Sequence, residues 1–240
     1  MTPATLVVVP TYNERDNLPL LIEGLMQHGN VRVLVVDDQS PDGTGQIADA
    51  LALEFPGRVE VMHRTGQRGL GRSYVDGLRR ALESDATLIC QMDGDWSHDP
   101  QYLPAMIAAC STNDVVIGSR YLRGVSVVNW PLRRIILSAF ANRYIRGITG
   151  LRPMDCTSGY RCWRRETLAK LPLDRVVSDG YAFLVEMLFE AHRRGAQVGE
   201  VPIIFVERRL GVSKLSGSVL LESCLTPWRL RLRSLGRSPS

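Results

Sequence analysis

An apolar run, Leu88-Ile89-Cys90-Gln91-Met92, ends in the tripeptide Asp93-Gly94-Asp95. Alternate residues of an extended segment point the same way, so the two carboxylates converge while Gly94 admits close backbone approach. A hard divalent cation held by one or two carboxylates and by substrate phosphates suits such a pair. A D-x-D alone is common in solvated loops, but two other apolar runs here also end in acids. Leu6–Val9 leads into Pro10-Thr11-Tyr12-Asn13-Glu14, which sets an aromatic ring and a carboxylate where a base and ribose fit. Val31–Asp37 continues into Asp38-Gln39-Ser40.

Cationic side chains follow downstream. Arg120 closes Gly118-Ser119-Arg120, Arg133-Arg134 open a helical segment, and Arg208, Arg209 and Lys214 lie in Glu207–Lys214. A sugar diphosphate donor leaves with growing negative charge, so a metal and cationic groups serve that chemistry better than a strong nucleophile. Any one arginine is usually a solvated surface charge; three clusters behind an acidic metal site point to phosphate.

The elements that must position these groups alternate strand and helix. Expected strands are Leu6–Val9, Val31–Asp37, Val59–Met62, Thr87–Met92 and Asp114–Ser119. Between them lie helical spacings at Leu18–Met26, Gln46–Phe55, Arg72–Glu83 and Gln101–Cys110. The pattern predicts an α/β, Rossmann-like, mostly parallel sheet with ligands beyond the carboxyl ends of its strands. The second half is less regular: a helix over Leu132–Ile148 that lines an acceptor groove or, the favoured reading, closes the core, a turn-rich piece Thr157–Arg165, and a helix Tyr181–Arg194 stopped by Gly195. A short strand pair around Val201–Val206 then precedes a polar loop.

The bulk properties narrow the classes. At 240 residues the chain reads as one domain, 1–216, followed by a basic amphipathic tail, 217–240. A net charge of +4 is too small to argue for nucleic acid. Five cysteines without C-x-x-C spacing read as buried thiols of a reducing compartment. No basic leader precedes the short apolar run before Pro10, and no stretch approaches the ~20 apolar residues of a spanning helix. A cytoplasmic, membrane-peripheral protein is therefore expected.

Taken in order, PTYNE, VVDDQSPDGT, RGLGRSY, DGDWSHDP, IGSRY, CTSGYRCWRR, DGYAFLVEMLFEAHRRGA and VPIIFVERRLGVSKLS resemble the dolichol (polyprenol) phosphate mannosyltransferases of glycosyltransferase family 2. The resemblance spans Leu6 to Ser216, and it implies a GT-A fold, GDP-mannose as donor, Mg²⁺ or Mn²⁺, and a polyprenyl phosphate acceptor. It assigns Pro10, Tyr12, Glu14 and Asp38 to the guanosine, and Asp93, Gly94 and Asp95 to metal and diphosphate. Arg120 and Arg133 fall to the donor's phosphates or sugar and the acceptor phosphate, Arg208 and Lys214 to a closing loop, and Ser158 with Gly159 to the acceptor side. An acceptor phosphate is already ionised, so the implied reaction is direct inverting displacement without a general base, and His63 and His98 receive no such role. The sequence departs from many relatives at Val212, where an acid is common, and at Ala182, where some carry lysine.

Reaching a lipid acceptor calls for a membrane contact. Leu220, Leu221, Leu225, Trp228 and Leu232 line one side of a helix that also carries Arg229 and Arg233, which suits an interfacial anchor, a packed C-terminal helix, or contact with a separate membrane subunit. Three rival functions exist. Gly43-Thr44-Gly45-Gln46-Ile47-Ala48 formally matches a G-x-G-x-x-A dinucleotide motif, although acids precede it. A non-catalytic nucleotide-sugar sensor needs the same pocket, and a UDP-glucose transferase needs the same D-x-D.

Overall fold

The computed structural model describes residues 3–176, 180–206 and 217–235. The first strand, β1 (Thr5–Thr11), is buried along its whole length. Its β-branched run, TLVVVPT, is the composition of a strand covered on both faces. Strands β2 (Val31–Asp37), β3 (Val59–His63) and β4 (Leu88–Gln91) join it in parallel, with Thr5 opposite both Val31 and Leu88 and Thr11 opposite Asp37. Helices α1 (Leu18–Met26), α2 (Thr44–Glu54) and α3 (Leu70–Leu82) connect them. This register brings three acidic strand ends to one edge.

The side-chain period of two divides the core between the faces of the sheet. Val7, Val9, Val33, Val35 and Cys90 pack with α1 and α2. Leu6, Val8, Leu34, Val36 and Ile89 pack with Tyr74 and Leu78 of α3 and Phe183 and Met187 of α7 (Gly180–Arg193). Helix α3 lies so close that a Cβ on Gly77 would stand 2.5 Å from Val8 Cγ1, which brings Tyr74 down to the strand ends.

The full sheet has seven strands in the order β3-β2-β1-β4-β7-β5-β8, with β5 at Val115–Ser119, β7 at Arg161–Arg164 and β8 at Val198–Pro202. The segment expected to be turn-rich, Thr157–Arg165, contains the one reversed strand of this sheet among the described residues: β7 runs antiparallel to both β4 and β5. Its arginines disguised it. Arg161 is wholly buried and donates to the carbonyls of Ser158, Leu184 and Cys156 at 2.9, 2.6 and 2.8 Å. Instead of a second neighbouring pair near Val201–Val206, β8 belongs to the main sheet, while β9 (Phe205–Val206) pairs with β6 (Val127–Val128) in a separate small ladder.

After α4 (Leu103–Ala109), helix α5 (Leu132–Thr149) departs from expectation. It does not close the core: only Asn142, Ile145 and Thr149 are buried, and its outer side is open to solvent. Helix α6 (Arg165–Ala169) follows β7, and α8 (Gly217–Leu235) packs against α7 and α5. Leu230 and Thr226 of α8 are buried, Arg233 reaches Glu186 of α7 at 3.3 Å, and Tyr144 of α5 donates to the Cys224 carbonyl at 2.9 Å. Among the described residues no helix is long and apolar enough to cross a membrane. Four of the five cysteines, all free, are buried, and Cys224 is exposed.

Candidate active site

The carboxyl edge of β4 delivers Asp93 and Asp95 on a tight turn. Trp96 takes a left-handed φ of 63°, which folds the chain back on itself. Ser97 then donates to Asp95 Oδ1 through both its backbone N–H, at 3.1 Å, and its hydroxyl, at 2.5 Å. A Cβ on Gly94 would lie 3.1 Å from the Pro10 carbonyl, a tight approach, so glycine eases the nesting of the turn against the end of β1. Tyr74 donates its phenol to Asp93 Oδ1 at 2.7 Å. Burial, with Asp93 beside it, pushes the Tyr74 phenol well above its ordinary range, so it stays a donor.

His98, wholly buried, accepts from the Asp93 N–H through Nδ1 at 3.1 Å and stacks on Tyr160 with ring centroids 5.2 Å apart. Burial lowers its pKa, against the opposing pull of Asp93 and Asp95. The ring is therefore neutral, with Nδ1 as the acceptor. His98 props the turn that carries Asp93.

Pro10 lies within β1, and Tyr12 and Glu14 lie just beyond it. Arg68 donates to the Tyr12 hydroxyl at 2.7 Å and sits over the Tyr12 ring at 5.1 Å; Glu14 accepts from Asn17 at 2.8 Å. Asp38 is buried and engaged with Arg64, and it accepts the Gly69 N–H at 2.8 Å. It thereby shapes the Arg64–Gly69 segment that carries Arg68. The dinucleotide-type motif fails here, because a Cβ on Gly45 would meet Asp37 Oδ2 at 3.1 Å. A carboxylate thus stands against the first turn of that helix, where it disfavours a pyrophosphate.

Opposite this edge stands the loop between α5 and β7. Arg120, expected on a phosphate, is instead 5% exposed and clamped by Asp155: Nε and Nη2 reach Oδ2 and Oδ1, both at 2.7 Å, and Nη2 also reaches Thr157 Oγ1 at 2.7 Å. The guanidinium lies 5.5 Å from the ring centres of both Trp130 and Phe205. Burial acts to raise the Asp155 pKa, but Arg120 outweighs it and holds the carboxyl below its ordinary value. Asn142 of α5 accepts the Cys156 N–H at 2.7 Å. Ser158 is buried beside this pair, and a Cβ on Gly159 would lie 3.3 Å from both Asp93 oxygens and from His98 Cε1.

The structure therefore brings Pro10, Gly94, Asp93 and Asp95 together and sets Ser158-Gly159 against Asp93. Arg133 stays exposed on the first turn of α5. Arg208, Lys214 and Val212 lie outside the described residues. Ala182 is 3% exposed within α7, a packed position rather than an open one. Sequence reasoning missed Tyr74, Asp155 and Arg161. Tyr74 stood in RGLGRSY, which counted only as part of the family pattern, and Asp155 had no acidic neighbour to mark it.

Fold and site together define a GT-A type glycosyltransferase. The pattern of "Glycosyl transferase family 2" matches residues 6–171. The chain is 48% identical over 237 residues to the polyprenol monophosphomannose synthase of Mycolicibacterium smegmatis, covering 97% of this chain and 89% of that one. It is 46% identical over 231 residues to the undecaprenyl-phosphate mannosyltransferase of Micrococcus luteus, covering 95% of each. Among solved structures, glucosyl-3-phosphoglycerate synthase from Mycobacterium tuberculosis, in complex with Mn²⁺, UDP-glucose and phosphoglyceric acid, superposes with a TM-score of 0.69 at 18% identity. That match covers 94% of this chain and 79% of the other. The chain belongs to glycosyltransferase family 2.

Proposed function

We propose that this chain is an inverting transferase that moves mannose from GDP-mannose to a polyprenyl phosphate at the cytoplasmic face of a membrane. Two relatives nearly half identical over their length, whose names describe polyprenol-linked mannose synthesis, support the reaction class. The observation that carries the reading is the bare contact of Gly159 with Asp93. There, the loop on the acceptor side meets the D-x-D carboxylates with no side chain between them.

In this reading Pro10, Tyr12 and Glu14 seat the nucleoside, with Tyr12 steadied by Arg68 and the Arg68 segment steadied by Asp38. Asp93 and Asp95 fit a divalent cation, because each has its Oδ1 oriented by a hydroxyl, from Tyr74 and Ser97, and the glycines on either side leave room at the carboxylates. Mg²⁺ or Mn²⁺, when bound there, neutralises the charge that grows on the departing diphosphate. Arg208 and Lys214 are assigned to the same diphosphate, and Arg133 with Ser158 to the acceptor phosphate. Arg120 acts indirectly: clamped by Asp155, it holds Thr157 and Trp130 in place.

An acceptor phosphate oxygen forms the new bond to the anomeric carbon as the bond to the GDP oxygen breaks, and the electron pair leaves with GDP. The phosphate brings no proton that must be removed, which agrees with a neutral His98 whose Nδ1 is already engaged. Positioning and charge neutralisation supply most of the rate.

The test is transfer of radiolabelled sugar from GDP-mannose, with UDP-glucose in parallel, into organic-extractable polyprenyl phosphate, with and without Mg²⁺ or Mn²⁺. Metal-dependent labelling from GDP-mannose is expected, falling about a thousandfold or more in Asp95→Ala. Labelling only from UDP-glucose would overturn the donor. Absence of labelling from either, with folded protein, would favour the non-catalytic sensor.

A further inference from the structure

From Tyr121 to Met154 the chain has no acidic residue and six arginines: Arg123, Arg133, Arg134, Arg143, Arg146 and Arg152. After Glu222 it has none again, with Arg229, Arg231, Arg233 and Arg237. The fold brings these two acid-free stretches side by side, since α5 and α8 pack on each other.

The side they leave open is apolar. On α5 the outward residues Leu132, Ile136, Leu137 and Phe140 are 70, 60, 49 and 63% exposed. On α8, Leu225, Trp228 and Leu232, at helical spacing, are 51, 53 and 65% exposed, while Leu230 and Thr226 on its other side are buried. Tyr144 joins the two stripes: its ring stacks on Phe140 with centroids 6.3 Å apart, and its hydroxyl accepts from Trp228 Nε1 at 2.9 Å. A water-soluble surface does not ordinarily gather this many large apolar side chains. Leucine, isoleucine and phenylalanine rimmed by arginine, with tyrosine and tryptophan at the seam, form the pattern of a face that lies in a lipid headgroup region.

We propose that the joined outer faces of α5 and α8 seat the protein on an anionic bilayer, with α5 as the embedded element. Charge complementarity selects this occupant. A second copy of the same face would bring the arginines against one another, whereas anionic headgroups supply counter-charge to the exposed Arg133, Arg143 and Arg229 while the bilayer takes the apolar stripe. The purpose of the contact rests on the lipid-acceptor reading. Its observation does not, and it goes beyond the tail contact expected from sequence by making α5 the principal element. Because Asn142 of α5 holds the Cys156 N–H, the acceptor loop hangs directly from the docked helix.

The experiment is co-sedimentation of the full chain, without donor or acceptor, with vesicles of phosphatidylcholine containing phosphatidylglycerol or of phosphatidylcholine alone. Binding to the anionic vesicles, weakened by salt, is expected, and Ile136→Asp with Phe140→Asp should lower the partition at least about tenfold. Circular dichroism and transfer to a short-chain, water-soluble acceptor phosphate should stay unchanged, which separates failure of docking from failure of the enzyme reading. Arg143→Gln is the second variant, expected to lower only the anionic-vesicle affinity. Equal binding of both vesicle types by all variants would overturn the proposal. So would absence of vesicle binding alongside a dimer, seen by light scattering, that the double variant dissolves.

Discussion

The two sides of the cleft use their carboxylates in opposite ways. On the β1–β4 side, Asp93 accepts from the Tyr74 hydroxyl and Asp95 from the Ser97 hydroxyl and amide, and Asp93 keeps 29% of its side chain exposed. On the β5–β7 side, Asp155 is fully buried and bound twice to Arg120. A carboxylate buried whole against an arginine is structural; one oriented by a hydroxyl with part of its side chain open, as Asp93 is, can meet a ligand. Acidity near a cleft is thus a weak guide by itself, and the partner decides the role.

The sharpest way to break this comparison is Asp155→Ala, which strands the buried Arg120 charge. It should cost about 3–5 kcal/mol of stability, read from urea unfolding. A loss of activity with full stability would place Asp155 among the ligand-binding acids. Next comes Gly159→Ala, whose new Cβ presses within 3.3 Å of both Asp93 oxygens. The expected result is a roughly tenfold fall in transfer rate with little change in unfolding midpoint. The matching change at Gly147, where a Cβ meets nothing within 4 Å, should leave transfer alone.

The smallest effect concerns pH. His98 is held below its ordinary value of 6.5 in the folded chain. Below 6.5 the unfolded chain takes up a proton that the folded chain refuses, so stability should decline as pH falls through the window between the unfolded and folded values. His98→Asn, whose side-chain oxygen can still accept the Asp93 N–H, should flatten that slope while the D-x-D turn persists. An unchanged slope across pH 7 to 5 would show that other groups set it.

Where the sequence was readable, it was so for a physical reason. β1, β2 and β4 announce themselves because strands covered on both faces must be continuous apolar runs, and their acidic ends stand out against those runs. β7 was illegible because its arginines are satisfied by carbonyls that only the finished fold supplies. The burial of Arg120 was illegible for the same reason: its partner Asp155 lies 35 residues away. The outer face of α5 read as core because an apolar side chain looks the same in sequence whether it faces protein, water or lipid.

The reversed strand also sets an order of assembly. Strands β1 to β4 come from residues 5–91 and pair through short-range crossovers. The next place in the sheet belongs to residues 161–164, made some 70 residues later. Until they arrive, one side of Leu88–Gln91 is a bare hydrogen-bonding edge leading straight to the metal-binding turn, open to any extended chain nearby. The nascent protein therefore carries the acids of its active site on its most adhesive border, and completing the cleft is the same event as sealing it.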